Sequence, residues 1–149
     1  MNIKIISLVA VMAALGACSA EETPVQNPEL LKGGEFVATQ NGVDIKLNFD
    51  AETTRAYGKV VNNYNGSYEA AGNKIKFGPM MSTMMYGPEN AMKVESEYFK
   101  FMGTVETYEL AGSTLKIKDN DGKEIVFKKL ETSADAPAGN QPDAIPLAD

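Results

Sequence analysis

Several groups of side chains in this sequence have types and spacings that could do chemistry. Met80, Met81, Met84 and Met85, with Met92 and Met102 downstream, supply thioethers, and soft sulfur ligands select Cu(I). Methionine is also an ordinary filler of irregular cores, so the run reads either as a soft-metal site or as packing. Glu95 falls next to the apolar stripe of a predicted helix. It is either a carboxylate in a half-apolar cleft facing a polar ligand, or a structural group that caps a turn or pairs with Asn62 or a strand backbone. Asp119-Asn-Asp-Gly122 offers oxygens to calcium. An EF-hand loop, however, needs ligands at alternating positions and a distal Glu, so this spacing predicts a tight turn. Ser67, Ser82, Ser96 and Ser113 lack an activating base of the usual kind, because the chain has no histidine. No spacing singles out a carboxylate pair. The expectation is a protein that is not an enzyme and takes no cofactor or metal.

The bounds agree with that expectation. A chain of 149 residues holds one domain with flanking segments. Its 14 Lys and Arg against 20 Asp and Glu give a net charge of −6, which provides no footprint for nucleic acid and fits a soluble monomer. The single cysteine is Cys18. Lys4 precedes an apolar run, Ile5 to Leu15, too short for a bilayer that demands about 20 apolar residues. Leu15-Gly-Ala-Cys18 resembles the lipobox of bacterial lipoproteins, which implies cleavage before Cys18 and its acylation. Plain secretion with a cut after Ala20 and an uncleaved anchor are the alternatives. One acyl chain binds membranes marginally, at about 0.8 kcal/mol per buried CH₂, whereas the several palmitate-type chains of a mature lipoprotein hold firmly. Ser19 after the cysteine implies an outer-membrane lipoprotein facing the periplasm if the source is Gram-negative, and a cell-membrane one otherwise.

Composition then divides the rest of the chain. Residues 1–17 read as the signal peptide and 18–32, with Glu21, Glu22, Pro24 and Pro28, as a flexible tether. Residues 132–149 carry Pro137, Pro142, Pro146 and Asp135, Asp143, Asp149 without a Lys or Arg, and read as a disordered acidic tail. The folded unit is 33–131.

Within that unit the period is mainly that of strands. Glu35–Thr39 and Val43–Phe49 flank Asn41-Gly42, the strongest short hairpin signal. Further runs are Ala56–Val61, Gly66–Ala70, Lys74–Phe77, Val105–Leu110, Thr114–Lys118 and Glu124–Leu130. Ser67-Tyr-Glu-Ala-Ala-Gly-Asn-Lys-Ile-Lys-Phe77 lines up with Thr107-Tyr-Glu-Leu-Ala-Gly-Ser-Thr-Leu-Lys-Ile117. Each copy reads as a hairpin, through shared turn chemistry or true duplication. One helix is predicted over 88–102, with Pro88 in its first turn and Gly103 placed to stop it. Ala91, Val94, Tyr98, Phe101 and Val105 give it a wide apolar face, which must lie on the sheet or plug a barrel. The fold class is α+β, a small antiparallel, curled sheet of about seven to eight strands with one packed helix.

Gly58-x-Val-Val-Asn62, Tyr64-x-Gly66-Ser-Tyr68, Phe77-Gly78-Pro79, Thr83-Met84 and Pro88-Glu-x-Ala-Met92-x-x-Glu95 resemble the META domain of HslJ-like heat-shock lipoproteins, from Phe36 to Leu130. The resemblance implies strands curled around one helix, in envelope lipoproteins associated with stress and sometimes antibiotic resistance, with no enzyme activity. It marks Gly58, Asn62, Gly66, Tyr68, Gly78, Thr83, Met84 and Glu95 as structural motif residues. Where the family commonly has a cysteine pair this chain has Val61 and Gly87, or Tyr86 under a one-residue shift, and Phe36 stands where Trp is common. The resemblance therefore implies that Val61 and Gly87 lie within disulfide reach. The partners expected are a membrane, through the N-terminal lipid, and an envelope protein or ligand, in support of stress resistance. A lysozyme-inhibitor-like lipoprotein is the alternative, since an acidic surface suits a basic lysozyme, and a structural spacer is a third option.

Overall fold

A computed structural model describes residues 26–131. Cys18, the signal segment, residues 18–25 of the expected tether and the 132–149 tail lie outside the described residues. The strands are β1 (Glu35–Gln40), β2 (Val43–Phe49), β3 (Arg55–Lys59), β4 (Asn63–Ala71), β5 (Lys74–Phe77), β6 (Met81–Ser82), β7 (Val105–Ala111), β8 (Thr114–Asp119) and β9 (Glu124–Lys129). Every pairing is antiparallel, in the order β3-β2-β1-β9-β8-β7-β5-β4, and β4 returns to β3. The result is a closed barrel of eight strands, with the two-residue β6 pairing with the start of β4 at Tyr64 and Asn65.

Alternation explains the interior. Ile45, Leu47 and Phe49 of β2, Leu115 and Ile117 of β8, and Ile125 and Phe127 of β9 are buried, while the residues between them face outward. A barrel of this size is filled by its own side chains. Near one end Phe49 meets Tyr68 edge-on at 5.0 Å and Phe36 at 5.9 Å.

The repeated hairpins have the same register. Tyr68 faces Phe77 and Ala71 faces Lys74 in one; Tyr108 faces Ile117 and Ala111 faces Thr114 in the other. Gly72 and Gly112, each with φ 58°, take the first position of the two-residue turns, as a type II′ connection requires.

Helix α1 runs Glu89–Met102, and its buried residues, Ala91, Val94, Glu95, Tyr98, Phe101 and Met102, form the expected face. Pro88 is its N-cap rather than its first residue. Gly103 ends the helix without a left-handed turn, at φ −69°, and Thr104 completes the stop by donating its N–H and hydroxyl to the Phe101 carbonyl at 2.9 and 3.0 Å.

Three boundaries differ from the sequence reading. The tether expected to reach residue 32 is already packed from Gln26: the Gln26 Oε1 accepts the Leu110 N–H at 2.7 Å. A 3₁₀ turn, Pro28–Leu31, then buries Leu31 completely. A single apolar residue in a short turn carries no period, so composition could not reveal it. β4 starts at Asn63, ahead of the run that the sequence begins at Gly66, whereas 60–62 bends instead of extending β3. The two-residue β6 was not foreseen. Among the described residues no helix is long and apolar enough to cross a membrane.

Candidate functional site

The bend after β3 brings a buried carboxylate against backbone donors. Glu95, 5% exposed, accepts the N–H groups of Val61 and Asn62 on Oε2 at 2.9 and 2.6 Å and the Asn62 amide on Oε1 at 2.7 Å. Asn62, also buried, passes the network on. Its Oδ1 accepts the Met85 N–H at 2.6 Å and the Thr83 hydroxyl at 3.0 Å, and its amide donates to the Met85 carbonyl at 3.3 Å. Thr83 in turn accepts the Asn63 N–H on Oγ1 at 3.2 Å. One knot of polar atoms therefore ties helix α1, the 60–62 bend and the 83–85 segment together. Buried polar groups are tolerated when they are bonded in this way.

Directly below the knot is a phenol pair. Tyr64 Oη donates to the Lys46 carbonyl at 2.7 Å, so at the 2.7 Å contact between the two hydroxyls Tyr98 is the donor. Burial pushes both phenols above their usual range. Phe99 stands edge-on to Tyr64 at 5.4 Å, which fixes the ring from behind.

Above the knot lies a cleft of about 390 Å³. Met84, Met85 and Tyr86 form one wall, Met92, Ser96 and Phe99 of the helix the other, and Asn62 and Glu95 line it between them. Met84 is 97% and Tyr86 100% exposed, although both are large and at least partly apolar. Between and beside them the backbone is anchored: the Met85 N–H and carbonyl are bonded to the Asn62 side chain and the Thr83 N–H to the Asn63 carbonyl, so the exposure belongs to a segment tied down at Thr83 and Met85.

The other motif residues do not line this cleft; they serve the barrel wall. A Cβ on Gly58 would collide with the Lys46 carbonyl oxygen, and one on Gly66 would lie 2.6 Å from the Met80 sulfur. Gly78 is equally tight, with Ser67 Oγ at 2.5 Å from such a Cβ. Tyr68 is a core residue. Val61 and Gly87 are neighbours: a Cβ built on Gly87 falls 3.6 Å from the Val61 Cβ, inside the range of about 3.5–4.5 Å that a disulfide requires.

The methionines do not converge on one point. Met102 is core, Met80 packs against the core beside Gly66, and Met81 lies 69% exposed along other clefts, leaving Met84, Met85 and Met92 together. The Asp119 carboxylate is already used: Oδ1 accepts the N–H groups of Asp121 and Lys123 at 3.0 and 2.8 Å around Gly122, φ 82°. That is the tight turn the spacing predicts. Among the described residues no cluster of three His, Cys, Asp or Glu is placed to hold a metal ion. Phe99 is not among the residues that the sequence singles out, and Tyr86 is singled out only as the alternative to Gly87 in the missing cysteine pair, not as a cleft residue. The signal for Tyr86 was its place in an uncharged loop; Phe99 was hidden beside a stripe read as core.

The family model of the META domain matches residues 28–132. The chain belongs to the META domain family. No curated protein matches the chain. A solution NMR structure of a protein from Burkholderia xenovorans is similar in fold, with a TM-score of 0.58 and 18% identity over 68% of this chain and 85% of that one. A second NMR structure gives a TM-score of 0.55 and 16% identity, covering 69% and 94%. These likenesses support the fold alone. The META domain here starts with the Pro28 turn, in agreement with the early packing of Leu31.

Proposed function

We propose that this META-domain protein is a non-enzymatic envelope lipoprotein, anchored by acylated Cys18, that binds an envelope component through the Met84–Phe99 cleft and supports resistance to envelope stress. The observation that carries this reading is the fixed exposure of Met84 and Tyr86. Met84, Met85 and Tyr86 are consecutive and all exposed, and contiguous exposed apolar patches, unlike single exposed residues, mark interaction sites. The lipid address follows from Leu15-Gly-Ala-Cys18, with the outer membrane as its destination if the source is Gram-negative.

The inhibitor reading drew on an acidic surface. Much of the acidic excess lies in the flanks, where Glu21, Glu22, Asp135, Asp143 and Asp149 are offset by no Lys or Arg once the signal segment is removed. The barrel itself is close to charge balance, so attraction to a basic lysozyme loses most of its basis.

The test uses the lipidated protein as bait in solubilised envelopes of its own host, beside a Met84→Ser/Tyr86→Ser variant. Both residues are exposed, so the variant is expected to melt at the same temperature and to lose the captured component. Mass spectrometry of the mature chain should find fatty acid on Cys18. Capture that is identical in both proteins removes the cleft from the function, and a free Cys18 thiol removes the anchor.

A further inference from the structure

The floor of the cleft carries an unneutralised charge. Glu95 accepts three N–H donors but makes no ion pair; among the described residues the ion pairs are Lys32 with Glu29 and Lys118 with Glu124. Neutral N–H dipoles satisfy a carboxylate's hydrogen bonds without cancelling its charge, and a poorly solvated charge without a counter-ion attracts one strongly. Oε1 takes a single donor, from Asn62, and so retains acceptor capacity.

The walls are of the opposite kind. Met84, Met85 and Met92 present thioethers, and Tyr86 and Phe99 present rings. Rings attract cations through their faces, and methionine adapts to apolar bodies of varied shape. No Lys or Arg lines the cleft to compete for Glu95.

Resting on the reading that this cleft is the binding site, we propose that its ligand is a small lipophilic ammonium compound, with the amine on Glu95 and the apolar body between Met84 and Phe99. A neutral compound of the same body would gain the walls but not the charge. An anionic one would meet the Glu95 carboxylate and be rejected, since like charges in a poorly solvated cleft repel.

The experiment is a titration of the mature chain, residues 18–149 with Cys18→Ser, followed by the methyl NMR signals of its methionines. Three probes share one body: 4-phenylbutylamine, 4-phenylbutanol and 4-phenylbutyrate. The amine should shift the methyls of Met84, Met85 and Met92, leave that of Met102 in place, and bind at least about tenfold more tightly than the alcohol, the gain of one charge-assisted bond. Added salt should weaken the amine and not the alcohol. Glu95→Gln should abolish the preference for the amine; should that variant not fold, Phe99→Ala, which leaves Glu95 in place, should weaken amine and alcohol alike. Equal binding of amine and alcohol at these methyls overturns the ammonium assignment and leaves the cleft as a binding site. Binding of the amine that shifts methyls elsewhere, or of none of the probes, overturns the ammonium assignment; the cleft's role is then decided by the envelope capture above.

Discussion

Two loops of this barrel are fixed by the same device and put to different use. At 119–123 the Asp119 carboxylate gathers the N–H groups of Asp121 and Lys123, and the turn presents polar residues, with Lys123 resting over the Phe101 ring at 6.0 Å. At 83–87 the Asn62 amide gathers Met85 and Thr83, yet that segment presents Met84 and Tyr86. A loop that only closes a hairpin has no reason to hold apolar side chains in water. The contrast separates a loop that makes a connection from the one proposed to present a binding surface.

The sharpest way to break the comparison is to remove each anchor. Glu95→Ala strands the N–H groups of Val61 and Asn62 and should lower stability by about 3 kcal/mol or more. Asp119→Ala frees donors that water can reach and should lose about 1 kcal/mol. Urea unfolding measures both, and equal losses would erase the distinction between the loops.

A second intervention strengthens the cleft segment instead. Val61→Cys with Gly87→Cys should close a disulfide in mild oxidant without backbone movement, because the Cβ positions are 3.6 Å apart. The expected gain is about 2–4 kcal/mol, read as a rise in melting temperature that dithiothreitol reverses. Free thiols in the folded, oxidised protein count against the neighbour relation of these two residues.

The phenols beneath the knot give a pH test. Tyr64 and Tyr98 are held neutral by burial, so their folded pKa values lie above the ordinary phenol value of 10.0. Unfolded phenols release protons near that value and folded ones later, so the unfolded state binds fewer protons above it. Stability is accordingly full below pH 10 and falls as pH rises beyond it. Tyr98→Phe should make that fall shallower in alkaline urea titrations, and an unchanged slope would contradict the assignment.

The smallest effect belongs to the repeated hairpins. The Tyr108 hydroxyl is buried with no hydrogen-bond partner among the described residues. Tyr108→Phe should then be neutral or stabilising by up to about 1 kcal/mol. A clear loss of stability would reveal a partner for that hydroxyl.

The barrel was largely legible because its signals are local and periodic. Val43–Phe49 alternates without exception, Asn41-Gly42 marks its hairpin, and both Gly72 and Gly112 sit where a two-residue turn demands them. The site was legible only in part, because it depends on distance across the chain. Glu95 and Asn62 are 33 residues apart, and their pairing was one of two readings open to a carboxylate beside an apolar stripe. Nothing in the spacing of Met80, Met81, Met84 and Met85 distinguishes the core-packed Met80 from the exposed Met84; between them Met81 and Ser82 pair with β4, a long-range contact that no local pattern announces. Leu31 is illegible for a related reason, since one buried residue in a short turn leaves no pattern.

Amide hydrogen exchange at Met85 tests the preformed cleft most directly. Its N–H, 2.6 Å from Asn62 Oδ1 in a segment that is otherwise exposed, should exchange in the slow class of the β4 core amides. Exchange at the rate of an open loop would mean that Met84 and Tyr86 are merely unrestrained, and the presented surface would be lost with the knot.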